Sequence, residues 1–144
     1  MRKSLEMETI TQTQTRHHET ILIVEDDEPL LRLLRFFLDD GGYHVLCAKN
    51  GEEAIDTYVA HRQEIDLVLT DLGLPGLTGK EEILALERIN PSIRIICASG
   101  YVDPALRSEI CQAGVKAIVS KPYAPQEILQ TARTVLDSRA KEER

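Results

Sequence analysis

Three carboxylates, one hydroxyl and one ammonium group lie at the ends of short apolar runs in the sequence. They are Glu25, Asp26, Asp71, Ser99 and Lys121. Carboxylates that lie close together repel one another, and Mg²⁺, which prefers oxygen ligands, would relieve that repulsion. A carboxylate beside such an ion can attack phosphorus, while an ammonium group stabilises the charge on the transferred phosphoryl group. These residue types therefore suit metal-dependent phosphoryl transfer to a carboxylate.

The apolar runs that precede these residues predict five short strands. They cover residues 21–24, 45–48, 67–70, 93–98 and 117–120. Segments with apolar residues at helical spacing alternate with the strands and predict five helices. They lie at about residues 29–40, 51–59, 83–89, 104–113 and 125–138.

This alternation predicts an α/β fold with a parallel sheet that is covered by helices on both faces. In such a sheet, binding and catalytic groups gather just beyond the carboxyl ends of the strands. Strand one ends before Glu25 and Asp26, strand three before Asp71, and strands four and five end near Ser99 and Lys121. We therefore expect the five side chains to converge at one edge of the sheet.

Four segments at these strand ends resemble one known family. They are VEDDEP at 24–29, TDLGLPG at 70–76, ASGY at 98–101 and SKPY at 120–123. Because these four segments occur in this order, the chain from about residue 21 to 136 resembles a response regulator receiver domain of two-component signalling. The resemblance implies a flavodoxin-like, doubly wound sheet with five helices and strand order 2-1-3-4-5.

The resemblance also implies a role for each residue at the sheet edge. Asp71 would be the phospho-acceptor, Ser99 the switch hydroxyl and Lys121 the lysine that binds the phosphoryl group. Asp71 and Asp26 would bind Mg²⁺ directly, Glu25 would act mainly through water, and Gly73 would offer its backbone carbonyl. Pro122 would follow a cis peptide bond.

Two positions depart from the family pattern. The family often has an aromatic residue on strand five that moves inward when the switch hydroxyl engages phosphate, and Ile118 occupies that position here. Tyr101 is either a surface group that moves instead of that aromatic residue or an ordinary surface tyrosine. Gly73 has no side chain to orient a hydrolytic water, which leaves the site open to a partner.

The resemblance implies a histidine kinase or a histidine phosphotransfer protein as the phosphoryl donor. The signal would leave through a protein target that binds the face of helix 4, strand 5 and helix 5. We expect no helix-turn-helix or other output region after residue 136, and a net charge of −7 disfavours direct binding of nucleic acid. A stand-alone regulator and the receiver of a hybrid histidine kinase both fit.

Two other functions fit parts of the sequence. A phosphatase with an aspartyl-phosphate intermediate usually has a second Asp two residues after the first, where this chain has Gly73. A binding-only pseudo-receiver is disfavoured because Glu25, Asp26, Asp71 and Lys121 are all present. We expect a phospho-accepting switch rather than an enzyme that turns over an external substrate.

The bulk composition fits one domain, since the chain has 144 residues. We expect a flexible extension at 1–19, the receiver domain at 20–140 and a charged tail at 141–144. No apolar run is long enough to span a membrane, and residues 1–20 lack a signal-peptide core, so we expect a cytoplasmic protein. The three cysteines, Cys47, Cys97 and Cys111, have no metal-ligand spacing and are expected to be reduced and buried.

Overall fold

Strands and helices alternate along residues 18–73 and 79–142, the part of the chain that this computed structural model describes (without the side chains of residues 139–142). The strands are β1 Thr20–Val24, β2 His44–Ala48, β3 Ile65–Asp71, β4 Ile95–Ser99 and β5 Val115–Ser120. The helices are α1 Glu28–Asp40, α2 Gly51–His61, α3 Gly79–Ile89, α4 Pro104–Gln112 and α5 Pro125–Glu142.

All five strands form one parallel sheet in the order β2-β1-β3-β4-β5. The predicted α/β fold, its doubly wound flavodoxin-like topology and its strand order are confirmed. The order of the strands changes direction between β1 and β3, the place where ligand sites form in such sheets. The residues that follow β1 and β3 therefore become neighbours.

The sheet is buried on both faces, which explains the unbroken apolar runs in its central strands. On β1, Leu22 and Val24 face the core cluster that includes buried residues of α2, α3 and α4. Ile21 and Ile23 face the opposite cluster, which includes residues of α1 and α5. Each is at most 1% exposed. The two layers fix the height and direction of each strand end.

Side-chain caps start three of the helices soon after a strand ends. An oxygen of Asp27, Asn50 or Asp103 accepts a hydrogen bond from the backbone N–H three residues later, at 3.2, 2.8 and 2.9 Å. Such caps satisfy donors that the first helical turn leaves unpaired. The cap at Asp27 holds the chain in a tight turn just after Glu25 and Asp26.

The observed elements differ from the predicted ones mainly at their ends. β3 begins at Ile65, two residues early, and α5 continues to Glu142 rather than ending near residue 138. The charged residues at 137–142 lower hydropathy without breaking a helix. The predicted extension at 1–19 lies almost entirely outside the described residues, as do Pro75 and Gly76 of the loop after β3.

The cysteines are free, but only Cys97 is buried, whereas Cys47 is half-buried and Cys111 is exposed on α4, so the prediction of burial is wrong for Cys111. Cys111 follows Ile110, the buried residue of α4, and its side chain therefore points to another side of that helix.

Among the helices of the described ranges, none has the length and apolar character that would cross a bilayer.

Candidate functional site

The carboxyl ends of four strands form a polar site at one edge of the sheet. β1 leads into Glu25 and Asp26, and β3 ends at Asp71. β4 ends at Ser99, and Lys121 directly follows β5. The structure therefore places all five predicted side chains at the same edge. Their relative distances decide what each of them contacts.

The three carboxylates form one cluster. One oxygen each from Glu25, Asp26 and Asp71 lies within 4.8 Å of the others. This proximity follows from the sheet, because Val24 of β1 pairs in register with Thr70 of β3. Glu25 is 3% exposed and Asp71 is 8% exposed, whereas Asp26 is open to solvent. The cluster thus has a buried side and a side that water reaches.

Lys121 is the cation of this site. Its Nζ forms a close ion pair with Oδ2 of Asp71 and lies 3.7 Å from Oε1 of Glu25. Partial burial lowers the pKa of Lys121, but its hydrogen bond and ion pairs with these carboxylates outweigh that effect and raise the pKa overall. Lys121 therefore stays protonated and offsets part of the acidic charge. The Lys121–Pro122 peptide bond is cis, as predicted.

Glu25 has opposing influences on its ionisation. Burial raises the pKa of its carboxyl group, and the charge of Asp71 adds to that effect. The backbone N–H of Asp27 donates to Oε2 of Glu25 at 3.0 Å, and this bond, like Lys121, favours the ionised form. The net result is a raised pKa, because the effect of burial outweighs the hydrogen bond and the charge of Lys121.

Gly73 lies directly beside the acidic cluster. Its backbone N–H donates a hydrogen bond of 2.8 Å to Oδ1 of Asp71, which orients that carboxylate. A Cβ atom at position 73 would lie 3.5 Å from the same oxygen, an ordinary contact distance. A side chain is therefore sterically possible beside Asp71 at this position, and Gly73 places none there.

Ser99 belongs to the site by position, but its hydroxyl contacts the next loop. Its Oγ donates a hydrogen bond of 3.1 Å to the carbonyl oxygen of Tyr101. The Ser99 backbone is tied to the next strand, because the N–H of Lys121 donates to its carbonyl oxygen at 2.9 Å. On the other side, the N–H of Leu72 donates to the carbonyl oxygen of Ala98 at 3.1 Å. The end of β4 is thus held from both sides.

Tyr101 and Ile118 differ in burial. Tyr101 is 79% exposed. Ile118 is half-buried on β5, pairs in register with Cys97 and packs against the core. Tyr101 is therefore a surface side chain. Ile118 packs inward at the strand position where the family often has an aromatic residue.

Two residues near the site were not predicted from the sequence. Glu82 on α3 is fully buried, and its Oε1 accepts a hydrogen bond of 2.9 Å from Oγ1 of Thr70, the residue before Asp71. The second residue is Tyr123. Burial, with the charges of Glu25 and Asp71, raises the pKa of its hydroxyl group to about 12. The sequence did contain a signal for Glu82, since it lies four residues before Leu86 and beside Ile83 on the buried face of α3.

The donor set fits a hard divalent cation. Glu25, Asp26 and Asp71 offer only carboxylate oxygens, and the exposed position of Asp26 leaves one side open to water. Mg²⁺ binds through a few carboxylates and keeps several water ligands, so it suits a site with this geometry. A soft metal that prefers sulfur or nitrogen ligands would find neither in this cluster.

Comparison with known proteins agrees with this geometry. A family model described as "Response regulator receiver domain" matches residues 21–133. The transcriptional regulatory protein AruR of Pseudomonas aeruginosa is 35% identical over 119 residues, 81% of this chain and 48% of that protein. The chain spans 27% and 48% of the lengths of two curated relatives, so it corresponds to only part of each.

Solved structures show the same fold. A CheY-like receiver domain protein from Methanospirillum hungatei JF-1 has a TM-score of 0.80 and 28% identity, over 88% of this chain and 99% of that chain. The CheX-CheY-BeF3-Mg complex from Borrelia burgdorferi contains a chain with a TM-score of 0.76 and 25% identity, over 81% of this chain and 88% of that chain.

Proposed function

The chain belongs to the family of response regulator receiver domains, and on that premise we propose that Asp71 accepts a phosphoryl group in a two-component phosphorelay. The observation that carries the proposal is the cluster of Asp71 with two other carboxylates and the Lys121 ammonium group. This arrangement contains a nucleophile, a cation for the phosphoryl oxygens and the ligands for a metal.

The phosphoryl donor would be a histidine kinase or a histidine phosphotransfer protein. A carboxylate oxygen of Asp71 attacks phosphorus, the bond from phosphorus to the donor's imidazole nitrogen breaks, and an acyl phosphate forms on Asp71. The Gly73 N–H, which already donates to Oδ1, fixes the orientation of the carboxylate during attack. Lys121 moves its ion pair from the carboxylate to the incoming phosphoryl oxygens.

Three side chains and one carbonyl would hold the metal. Asp26 and Asp71 would bind it directly, Glu25 would act mainly through water, and Gly73 would contribute its carbonyl oxygen. When bound, Mg²⁺ would neutralise negative charge that otherwise repels the phosphoryl group from this acidic cluster. The cluster sets three carboxylates beside the one ammonium group of Lys121, and this excess of acidic groups supports the role.

Phosphorylation would act as a switch rather than as a catalytic turnover. The new phosphoryl oxygens are strong hydrogen-bond acceptors, and they compete with the Tyr101 carbonyl for the Ser99 hydroxyl. The loop after β4 then rearranges and changes the face formed by α4, β5 and α5. A cytoplasmic target protein would bind that face. One solved relative is a complex with another protein, CheX, which is consistent with a protein as partner.

Intact mass spectrometry tests this function. We expect a small phosphodonor with Mg²⁺ to add one phosphoryl group to the wild-type protein and none to Asp71→Asn. Asp56→Asn, a change at an exposed carboxylate on α2, is the matched control and should label like the wild type. Equal labelling of the Asp71 variant would show that another residue is the acceptor. A wild-type chain that takes up no phosphoryl group would instead indicate a binding-only domain.

A further inference from the structure

A buried polar cluster lies between the sheet and α3, next to the acceptor. It consists of Glu82, Thr70 and Cys97, all at most 1% exposed. Thr70 and Cys97 are register partners on β3 and β4, and Glu82 accepts the Thr70 hydroxyl hydrogen bond from α3. Thr70 directly precedes Asp71, so the cluster is joined to the acceptor by one peptide bond.

Glu82 has only half of its carboxyl group satisfied. Oε1 accepts the bond from Thr70, whereas Oε2 has no hydrogen-bond partner among the residues that the structure describes. A buried carboxylate with so few partners is stabilised by binding a proton. Burial is accordingly the main reason that the pKa of Glu82 rises to about 7; the Thr70 bond lowers it, and the charge of Asp71 raises it.

The groups around Glu82 bring no positive charge in the described part of the chain. From β3 it faces the negative charge of Asp71, and from β4 the thiol of Cys97, which is neutral because burial raises the pKa of that thiol. α2 contributes the buried side chain of Tyr58 to the same core cluster, and Lys80 of α3 pairs at the surface with Glu109 of α4 at 2.7 Å. Asp71 is therefore the main charge that Glu82 senses.

We propose that Glu82 is a proton-binding residue linked to the acceptor, so that the domain takes up a proton at Glu82 when Asp71 carries a phosphoryl group. The inference rests on the proposed phosphorylation of Asp71. A phosphoryl group adds negative charge at Asp71 while the metal remains the same, and this charge disfavours an ionised Glu82. The proton comes from solvent and forms an O–H bond on the carboxyl group.

The linkage makes the switch sensitive to pH. If phosphorylation favours protonation of Glu82, then protonation of Glu82 favours phosphorylation by the same factor, because binding linkage is reciprocal. The phosphorylated state is therefore most stable at low pH, and its stability decreases as the pH rises through the range in which Glu82 ionises. Glu82 acts on the acceptor as a positioning residue and does not touch the phosphoryl group.

Beryllofluoride with saturating Mg²⁺ is a suitable probe, because it adds negative charge at the acceptor without hydrolysing. With Mg²⁺ bound in both cases, we expect the side-chain carboxyl ¹³C signal of Glu82 to titrate at a higher pH after beryllofluoride is added than before. Reciprocally, beryllofluoride should bind roughly fivefold more weakly at pH 8.5 than at pH 6. Glu82→Gln, which keeps the size but cannot ionise, should remove the part of this pH dependence of beryllofluoride binding that comes from Glu82. Glu81→Gln, a change at the neighbouring exposed acid, should retain it.

The outcomes separate the two proposals. Parallel pH profiles for the wild type and Glu82→Gln, or a Glu82 titration that beryllofluoride leaves unchanged, would overturn the linkage and leave the function of Asp71 intact. If the Gln variant does not fold, the ¹³C titration of the wild type still decides. A wild-type chain that binds no beryllofluoride at either pH would overturn both proposals.

Discussion

The hydroxyl of Ser99 donates to the carbonyl oxygen of Tyr101 at 3.1 Å, and this bond directs the hydroxyl to the loop after β4 instead of to Asp71. A neutral carbonyl is a weaker acceptor than a phosphoryl oxygen. A phosphoryl group on Asp71 therefore offers the hydroxyl a better partner. When Ser99 takes it, the Tyr101 carbonyl loses its donor.

Replacement of Ser99 by Ala should separate labelling from switching. We expect Ser99→Ala to accept a phosphoryl group but to lose the response of residues 100–103, because no hydroxyl links the phosphoryl group to that loop. The backbone ¹H–¹⁵N signals of Tyr101 and Val102 report this response when Mg²⁺ and beryllofluoride are added. Ser108→Ala, on the exposed side of α4, is the control. The hydroxyl has no switching role if these signals shift as much in Ser99→Ala as in the wild type.

Asp26→Asn should weaken Mg²⁺ binding. Because even groups that only support metal ligands change affinity by about 10- to 100-fold, loss of a direct ligand should cost roughly tenfold or more. Asp27→Asn removes the same charge one residue later but keeps the helix cap, since Asn caps as well as Asp. Its effect should be clearly smaller. Calorimetric Mg²⁺ titrations of both variants measure the difference, and equal affinities would remove Asp26 from the ligand set.

Lys121→Ala should slow phosphorylation by roughly a hundredfold, the usual cost of removing a group that stabilises charge in a transition state. The matched control is Lys116→Ala, which removes an exposed lysine from the same strand, β5. Time courses by intact mass give the rates, and thermal unfolding checks that both variants fold. Wild-type rates for Lys121→Ala would show that this lysine does not contact the phosphoryl group.

Glu82 should make the unmodified protein less stable at alkaline pH. Its pKa is about 7 in the folded protein, above the ordinary value of 4.5, so the folded state binds this proton more tightly than the unfolded state does. The stabilisation is complete below pH 4.5 and is lost as the pH rises through 7. The shift corresponds to about 3 kcal/mol in the free energy of unfolding.

Urea unfolding at pH 5 and pH 8.5 measures this contribution. The free energy of unfolding of the wild type, taken relative to Glu82→Gln, should be lower at pH 8.5 than at pH 5. The comparison cancels the other titrating carboxylates, including Glu25. The same difference between the two proteins at both pH values would show that Glu82 does not ionise in this range.

The carboxyl ends of the strands could be predicted well from the sequence because they depend on a strong local signal. Apolar runs buried on both faces are easy to recognise, and the rule for parallel sheets then brings Glu25, Asp71 and Lys121 together without knowledge of their contacts. Helix ends were harder, because the charged end of α5 continues the helix to Glu142.

The contacts of two residues could not be predicted in the same way. Whether the Ser99 hydroxyl points to Asp71 or to Tyr101 depends on one side-chain torsion, and no sequence pattern encodes it. Glu82 was missed for a different reason. A glutamate is normally assigned to solvent, and its spacing from Leu86 indicates burial only if spacing is given more weight than residue type.

The paired backbone at the end of β4 determines which kind of motion can transmit a signal. The N–H groups of Leu72 and Lys121 hold the carbonyls of Ala98 and Ser99, so this strand end cannot slide relative to its neighbours without breaking sheet hydrogen bonds. Ser99 can change partners by rotation about its Cα–Cβ bond alone. Larger displacement on phosphorylation would then fall to residues 100–103, between a fixed strand and the capped start of α4, and these few residues would act as the hinge.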